Sequence, residues 1–153
     1  MKKYELTAEF IEKWGKKLFR IKALISFGSV EAGELGGYVE KEDNLAQDGN
    51  AWVYGDARVC GDARVYGDAD CLLIGRIGSR FSFTTFFKNK DKGITVSCGC
   101  FLGTIAEFRA KVTDTHGNNK HAKMYNLAAD MAELQILGEE YFDKLNTNKS
   151  EPF

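Results

Sequence analysis

Small and apolar residues recur on a six-residue period through the middle of the chain. Asn50-Ala51-Trp52-Val53-Tyr54-Gly55 is followed by Asp56-Ala57-Arg58-Val59-Cys60-Gly61, Asp62-Ala63-Arg64-Val65-Tyr66-Gly67 and Asp68-Ala69-Asp70-Cys71. Ala and Val stand two apart in each unit and share one face of a short strand, while Gly-Asp recurs where the chain must bend. Such a period predicts a parallel β-helix with three strands per triangular coil. Weaker units at 44–49 and 38–43 extend the pattern, so the repeat segment, 38–75, holds about two coils. Coils stack about 4.8 Å apart, which makes this prism only on the order of 10 Å tall. Solenoids need about three or more units and capped ends, so flanking segments or other subunits must cover it.

On the N-terminal side (1–37) the alternation over 4–27 predicts a hairpin that turns near Gly15-Lys16-Lys17, with Phe19, Ile21 and Ala23 on one face. A helix from Ala8 to Leu18 capped by Thr7 is the competing reading, which Gly15 weakens. On the C-terminal side (76–145) a second hairpin is expected, with strands 81–87 and 93–98 joined by Lys88-Asn89-Lys90-Asp91-Lys92. Thr104-Ile105-Ala106-Glu107 reads as a capping box that opens a helix ending near His116-Gly117. A second helix is predicted over about 119–137, with Met124, Leu127, Ala128, Met131, Leu134 and Leu137 on its buried stripe. The last residues, 146–153, read as a polar tail.

The 153 residues are 44% hydrophobic and 28% charged, with 21 basic against 22 acidic side chains. That near-neutral balance gives no global field to draw in nucleic acid or an anionic membrane. With no long apolar run and an N-terminus that turns acidic at Glu5, the expected location is the cytoplasm. There Cys60, Cys71, Cys98 and Cys100 are expected as thiols.

Several constellations bear on chemistry. Asp56, Asp62 and Asp68 are regularly spaced carboxylates, but a six-residue step sends them to different corners and leaves them as turn residues. Cys98, Cys100, His116 and His121 supply the two sulfurs and two nitrogens of a zinc site, with a bite shorter than usual; buried thiols are the competing reading. Cys100, near the helix cap, is also a candidate nucleophile, although no base is aimed at it. An anion or nucleotide pocket is suggested by Gly103 and Thr104 at the helix start with Arg76, Arg80, Thr84, Thr85 and Lys88 on the neighbouring hairpin. On the repeat, residues alternating with Ala and Val are expected to face outward. Trp52, Tyr54, Arg58, Arg64 and Tyr66, with Cys60, then form an aromatic-basic wall suited to self-association.

Ile21-Lys22-Ala23-Leu24, the stretch from Val30 to Glu40, Asn44-Leu45-Ala46-Gln47-Asp48-Gly49 and the Gly-Asp-Ala-Arg-Val run resemble a family of uncharacterised phage and prophage proteins with short β-helical repeats. Val96-Ser97-Cys98-Gly99-Cys100-Phe101 through Phe108 resembles their back half. More distantly, the hexads resemble those of left-handed β-helix acyltransferases, commonly trimers, in which a small or acidic residue stands where this chain has Tyr54, Cys60 and Tyr66. Acyl transfer requires a base, yet the only histidines are His116 and His121, outside the repeat.

The sequence therefore predicts a mainly β protein: a two-coil parallel, left-handed β-helix flanked by an N-terminal hairpin and a C-terminal hairpin with two helices. With no histidine in the repeat and its aspartates kept apart, the expected function is that of a non-enzymatic binding protein without cofactor, and the resemblance implies a phage setting for it. It would be a homo-oligomer, with a trimer favoured, that inhibits a host defence protein or sequesters a nucleotide signal. The alternatives are a structural or assembly protein, and a transferase or hydrolase acting at subunit interfaces.

Overall fold

The computed structural model describes residues 2–141 and Asp143. Two four-stranded sheets organise it. The first has the order β1-β2-β3-β4, with β1 Tyr4–Lys13, β2 Lys16–Ala23, β3 Leu35–Val39 and β4 Arg58–Val59. The second has the order β5-β6-β7-β8, with β5 Cys71–Ile77, β6 Ser82–Lys88, β7 Ile94–Cys98 and β8 Phe101–Thr104, all antiparallel. Helices α1 Ile105–His116 and α2 Lys120–Ala132 follow, and a π-helical turn, Glu133–Leu137, continues α2.

The expected parallel, left-handed β-helix is overturned. Among the described residues, parallel pairing is confined to β3 against β4, at Tyr38 with Arg58 and Val39 with Val59, and to a lone bridge between Leu45 and Val65. The backbone hydrogen bonds explain why. Gly37 and Tyr38 donate to the carbonyls of Val53 and Ala57, while the amide of Arg64 donates to Lys88 O and that of Lys90 to Asp62 O. The hexads pair with one another only along 38–46 against 57–65, and from Asp62 onward they also bond to the second sheet, so no coil of three parallel strands closes among them. What the period does carry is side-chain direction: Ala51, Val53, Ala57, Val59, Ala63 and Val65 are all buried in one core with Tyr4, Ile21 and Phe87.

β1 and β2 pair antiparallel, the strand reading of this stretch rather than the helical one. The fully buried residues of β2 are Leu18, Ile21 and Ala23, while Phe19 is half-buried. The extra residue of the β2–β3 pairing lies on β3, so β2 keeps its alternation: Ile21 and Ala23 join one cluster with Val39, Leu18 packs in another with Tyr38 and Cys60, and Phe19 stands against Phe10, with ring centroids 5.9 Å apart. The N-terminal strand also clamps the segment that follows β3. Lys3 is buried, and its Nζ donates to the carbonyls of Asp48, Gly49 and Ala51 at 3.2, 3.4 and 2.8 Å.

In the second half the capping box forms as read: Thr104 Oγ1 accepts from the Glu107 amide, and Glu107 Oε1 accepts from the Thr104 amide. The second helix differs in both end and face. It gives way to the π turn after Ala132, and its buried side is Ala122, Tyr125, Ala128, Ala129 and Ala132. Leu127, Met131 and Leu134 are 63, 56 and 43% exposed. Small alanines let α2 lie close to its neighbours. Arg109 of α1 fixes the helix rotation by bonding Asn126, Asp130 and Glu133. The expected tail, 146–153, lies outside the described residues. No helix among those described is long and apolar enough to cross a membrane.

Candidate functional site

The residues with most chemical character gather around one tight turn. β7 and β8 are joined by Gly99-Cys100, with Cys98 paired to Phe101. Gly99 has φ 57°, whereas Cys100 does not take positive φ, the combination of a type II′ hairpin turn with Gly at its first central position. The turn is pinned from the first sheet, because Trp14 Nε1 donates to Cys100 O at 2.9 Å.

On the helical side of this turn lies a cavity of about 200 Å³ lined by Arg80, Cys98, Cys100, Phe101, Phe108, Lys111, His116 and Tyr125, among others. Helical spacing brings Phe108, Lys111, Val112, Thr115 and His116 onto the face of α1 that borders it. Phe108 anchors the floor, with Phe86, Phe101 and Tyr125 at centroid distances of 5.8, 5.7 and 5.6 Å. His116 stacks on Tyr125 at 5.9 Å and 26°. Burial first, and then the neighbouring Cys98 sulfur, push the Tyr125 hydroxyl up to about 12, with Arg80 pulling the other way. Tyr125 is therefore a neutral donor near pH 7. Cys98 Sγ accepts a hydrogen bond from Thr84 Oγ1 at 3.2 Å. Arg80 and Lys111 have no ion-pair partner among the described residues.

A second cavity, about 160 Å³, lies on the other face of the same sheet, between the repeat segment and β6–β7. Trp14, Asp56, Arg58, Ser82, Phe83, Thr85 and Ser97 line it, and it shares Cys98 and Gly99 with the first. Two of its hydroxyls are committed: Thr85 Oγ1 accepts from the Arg58 amide at 3.1 Å and Ser97 Oγ donates to Arg58 O at 2.8 Å. The half-buried guanidinium they position has no partner among the described residues.

The anion site expected at the start of α1 does not assemble. Glu107 already occupies that helix end, and Thr84 and Thr85 are buried on opposite faces of β6. Arg76 and Arg80 flank one end of β6, whereas Lys88, paired with Asp70 at 3.8 Å, stands at the other. Seven strand residues separate those ends by about 20 Å. Gly103 and Thr104 sit at the Lys88 end, away from Arg80.

Cys98, Cys100 and His116 do border one cavity, and His121 lies 5.5 Å from His116 between ring centroids. Even so, no group of three or more His, Cys, Asp or Glu side chains among the described residues is arranged to hold a metal ion. Burial pushes the thiols of Cys60 and Cys71 up to about 11 and about 12, so both are unreactive.

The wall on the repeat is broken up. Trp52 and Cys60 are buried rather than outward, Trp52 edge-on to Tyr4 and Phe27 at 6.2 and 5.2 Å. Arg58 and Arg64 are half-buried beside the second sheet, and only Tyr54 and Tyr66, 52 and 54% exposed, remain open. Sequence reasoning missed Lys111, Phe108 and Tyr125 as site residues. The helical spacing of the first two was visible; their meeting with Arg80 depends on tertiary packing.

No protein-family model matches the chain. An uncharacterized acetyltransferase, YdcK, of Escherichia coli (strain K12) is 40% identical over 62 residues, which cover 35% of this chain and 19% of that protein. The chain thus spans about a fifth of that relative's length. The similarity is compatible with the distant hexapeptide-repeat resemblance of the hexads.

Proposed function

We propose that this is a non-enzymatic binding protein whose cavity beside α1 holds a small ligand with a flat ring and an anionic group. One observation carries the reading: Arg80 and Lys111, neither paired with a carboxylate among the described residues, border a ring-sized cavity floored by Phe101 and Phe108 and walled by Tyr125 and His116. Unpaired cations at an apolar slot favour an anion whose remainder is aromatic. The phage-type resemblance supports a biological setting for it, inhibition of a bacterial defence system by withholding a nucleotide signal or by occupying a defence protein. Self-association through Tyr54 and Tyr66, as a trimer, belongs to the same reading. A monomeric mass in solution removes that part of it.

The test is thermal melting of the full chain with aryl phosphates and mononucleotides. A ligand at a hundred times its Kd raises Tm by about 5–10 °C and is recovered intact after heating. No shift with any of them removes the ligand reading, and recovery of a cleaved ligand replaces binding with catalysis. A second reading, acyl transfer, is favoured by the 62-residue similarity to an uncharacterized acetyltransferase. It predicts release of free thiol from acetyl-coenzyme A in the presence of amine or hydroxyl acceptors. The absence of histidine from the repeat counts against it.

A further inference from the structure

The two cavities lie on opposite faces of the second sheet and meet at its end, where Cys98 and Gly99 are walls of both. Each is smaller than the roughly 300 Å³ at which drug-sized ligands begin to be enclosed, so each takes one ring. Each also pairs aromatic surface with a cation that has no carboxylate partner among the described residues. The second has Trp14, held by its bond to Cys100 O, and Phe83, 37% exposed, with the Arg58 guanidinium between the sheets. Asp56, which lies 3.7 Å from Arg20, adds an acceptor for a ring amine or a sugar hydroxyl.

The shared wall is thin and cationic. A Cβ built on Gly99 would meet only Arg80, whose Nη1 lies 3.8 Å away. Backbone without a side chain is thus exposed to close approach just where a guanidinium stands over it. We propose that the ligand is bipartite, with two flat rings joined by an anionic linker, the chemistry of a dinucleotide. One ring enters each cavity, and the linker crosses Gly99 against Arg80. Cavities on either face of one sheet lie on the order of 10 Å apart, a span that a phosphate-linked pair of nucleosides covers. This rests on the reading of the first cavity as a ring-and-anion site and adds the second cavity to it.

The experiment is calorimetric titration of the full chain with adenosine monophosphate, diadenosine diphosphate and cyclic di-adenosine monophosphate. One dinucleotide per chain is expected to bind at least about tenfold tighter than the mononucleotide, because the second ring binds intramolecularly. Phe83→Ser and Arg58→Ala should abolish that advantage, bringing dinucleotide affinity down to that of the mononucleotide. Lys111→Ala should weaken both ligands. Phe83 is partly exposed, so its variant folds, and the melting curve of each variant verifies this. Mononucleotide binding with no dinucleotide advantage, or an advantage that survives both Phe83→Ser and Arg58→Ala, overturns the bipartite ligand and leaves the first cavity standing. Failure of all three probes to bind at millimolar concentration removes the first cavity's reading and the bipartite one with it.

Discussion

Lys3→Met isolates the clamp that the first strand places on the segment after β3. The wild-type ammonium is nearly sealed from solvent, 1% exposed, over the Phe27 ring at 4.7 Å, with three carbonyl acceptors. Methionine keeps most of the volume but donates nothing. The carbonyls of Asp48 and Gly49 are part-buried and recover water, whereas the bond to Ala51 O is fully buried and leaves that oxygen without its 2.8 Å partner. One orphaned buried acceptor costs about 1–3 kcal/mol, so the expected loss is about 2 kcal/mol. At this chain length it lowers Tm by about 4–8 °C. Burial lowers the Lys3 pKa, against the opposing pull of Asp48 and Asp68. Between that lowered value and the unfolded value near 10.5 the unfolded chain binds more protons, so wild-type stability rises with pH in that alkaline window. The variant lacks that rise. Urea unfolding at pH 7 and again from pH 8 to 11 reads both effects, with an unchanged m-value certifying a pure stability change. A variant as stable as wild type at pH 7 would show that the desolvation cost of the ammonium cancels its bonds, and the clamp would carry no net stability.

The remaining predictions concern the second half of the molecule. Arg109→Met leaves Glu133, 7% exposed, without its cation and is expected to cost about 2–3 kcal/mol in urea melts, below the range for fully buried pairs because Asp130 and Arg109 retain solvent. Gly78→Ala drives a Cβ into the Tyr125 hydroxyl at a residue with φ 86°, so it should cost about 2–4 kcal/mol and weaken binding in the cavity beside α1. Gly99→Ala, also at positive φ but with nothing nearer than Arg80 Nη1 at 3.8 Å, should cost only about 1–2 kcal/mol. Equal losses at the two glycines would show that backbone strain, not Tyr125, sets the cost at Gly78.

Which residues face inward was legible over the hexads, because a two-residue alternation is fixed by strand geometry whatever pairs with the strand. Pairing itself was not. That the Val59 carbonyl accepts from the Glu40 amide, 19 residues away, while the Arg64 amide donates to Lys88 O of the second sheet, is decided by distant partners that no local period encodes. Burial of Trp52 escaped for the same reason, since Tyr4 and Phe27 cover it only after the first strand folds back. The capping box at Thr104 was legible because it closes within four residues. The face of α2 was misread through an assumption that large apolar side chains point inward. Ala122, Ala129 and Ala132 do so, beside Ala128, which was placed inward, because the Arg109 network fixes the helix rotation and close packing favours small residues there.

The candidate site repeats that division between local and distant information. Cys98, Cys100, Arg80 and His116 were each noticed as chemically able, but the zinc set and the helix-start anion pocket grouped them by sequence distance. The β7–β8 turn groups them by a different rule: it reverses the chain at Gly99, so that α1 runs back over the strands and its last turns, rather than its first, border the turn. Lys111 and His116 therefore reach the cavity, while Thr104 and Gly103 are carried to the far end of the sheet. A hairpin turn placed two residues later would have reversed that choice without altering a single candidate side chain. The site is thus a property of the topology of the second sheet, and the hexads contribute to it only through Asp56 and Arg58 on the opposite face.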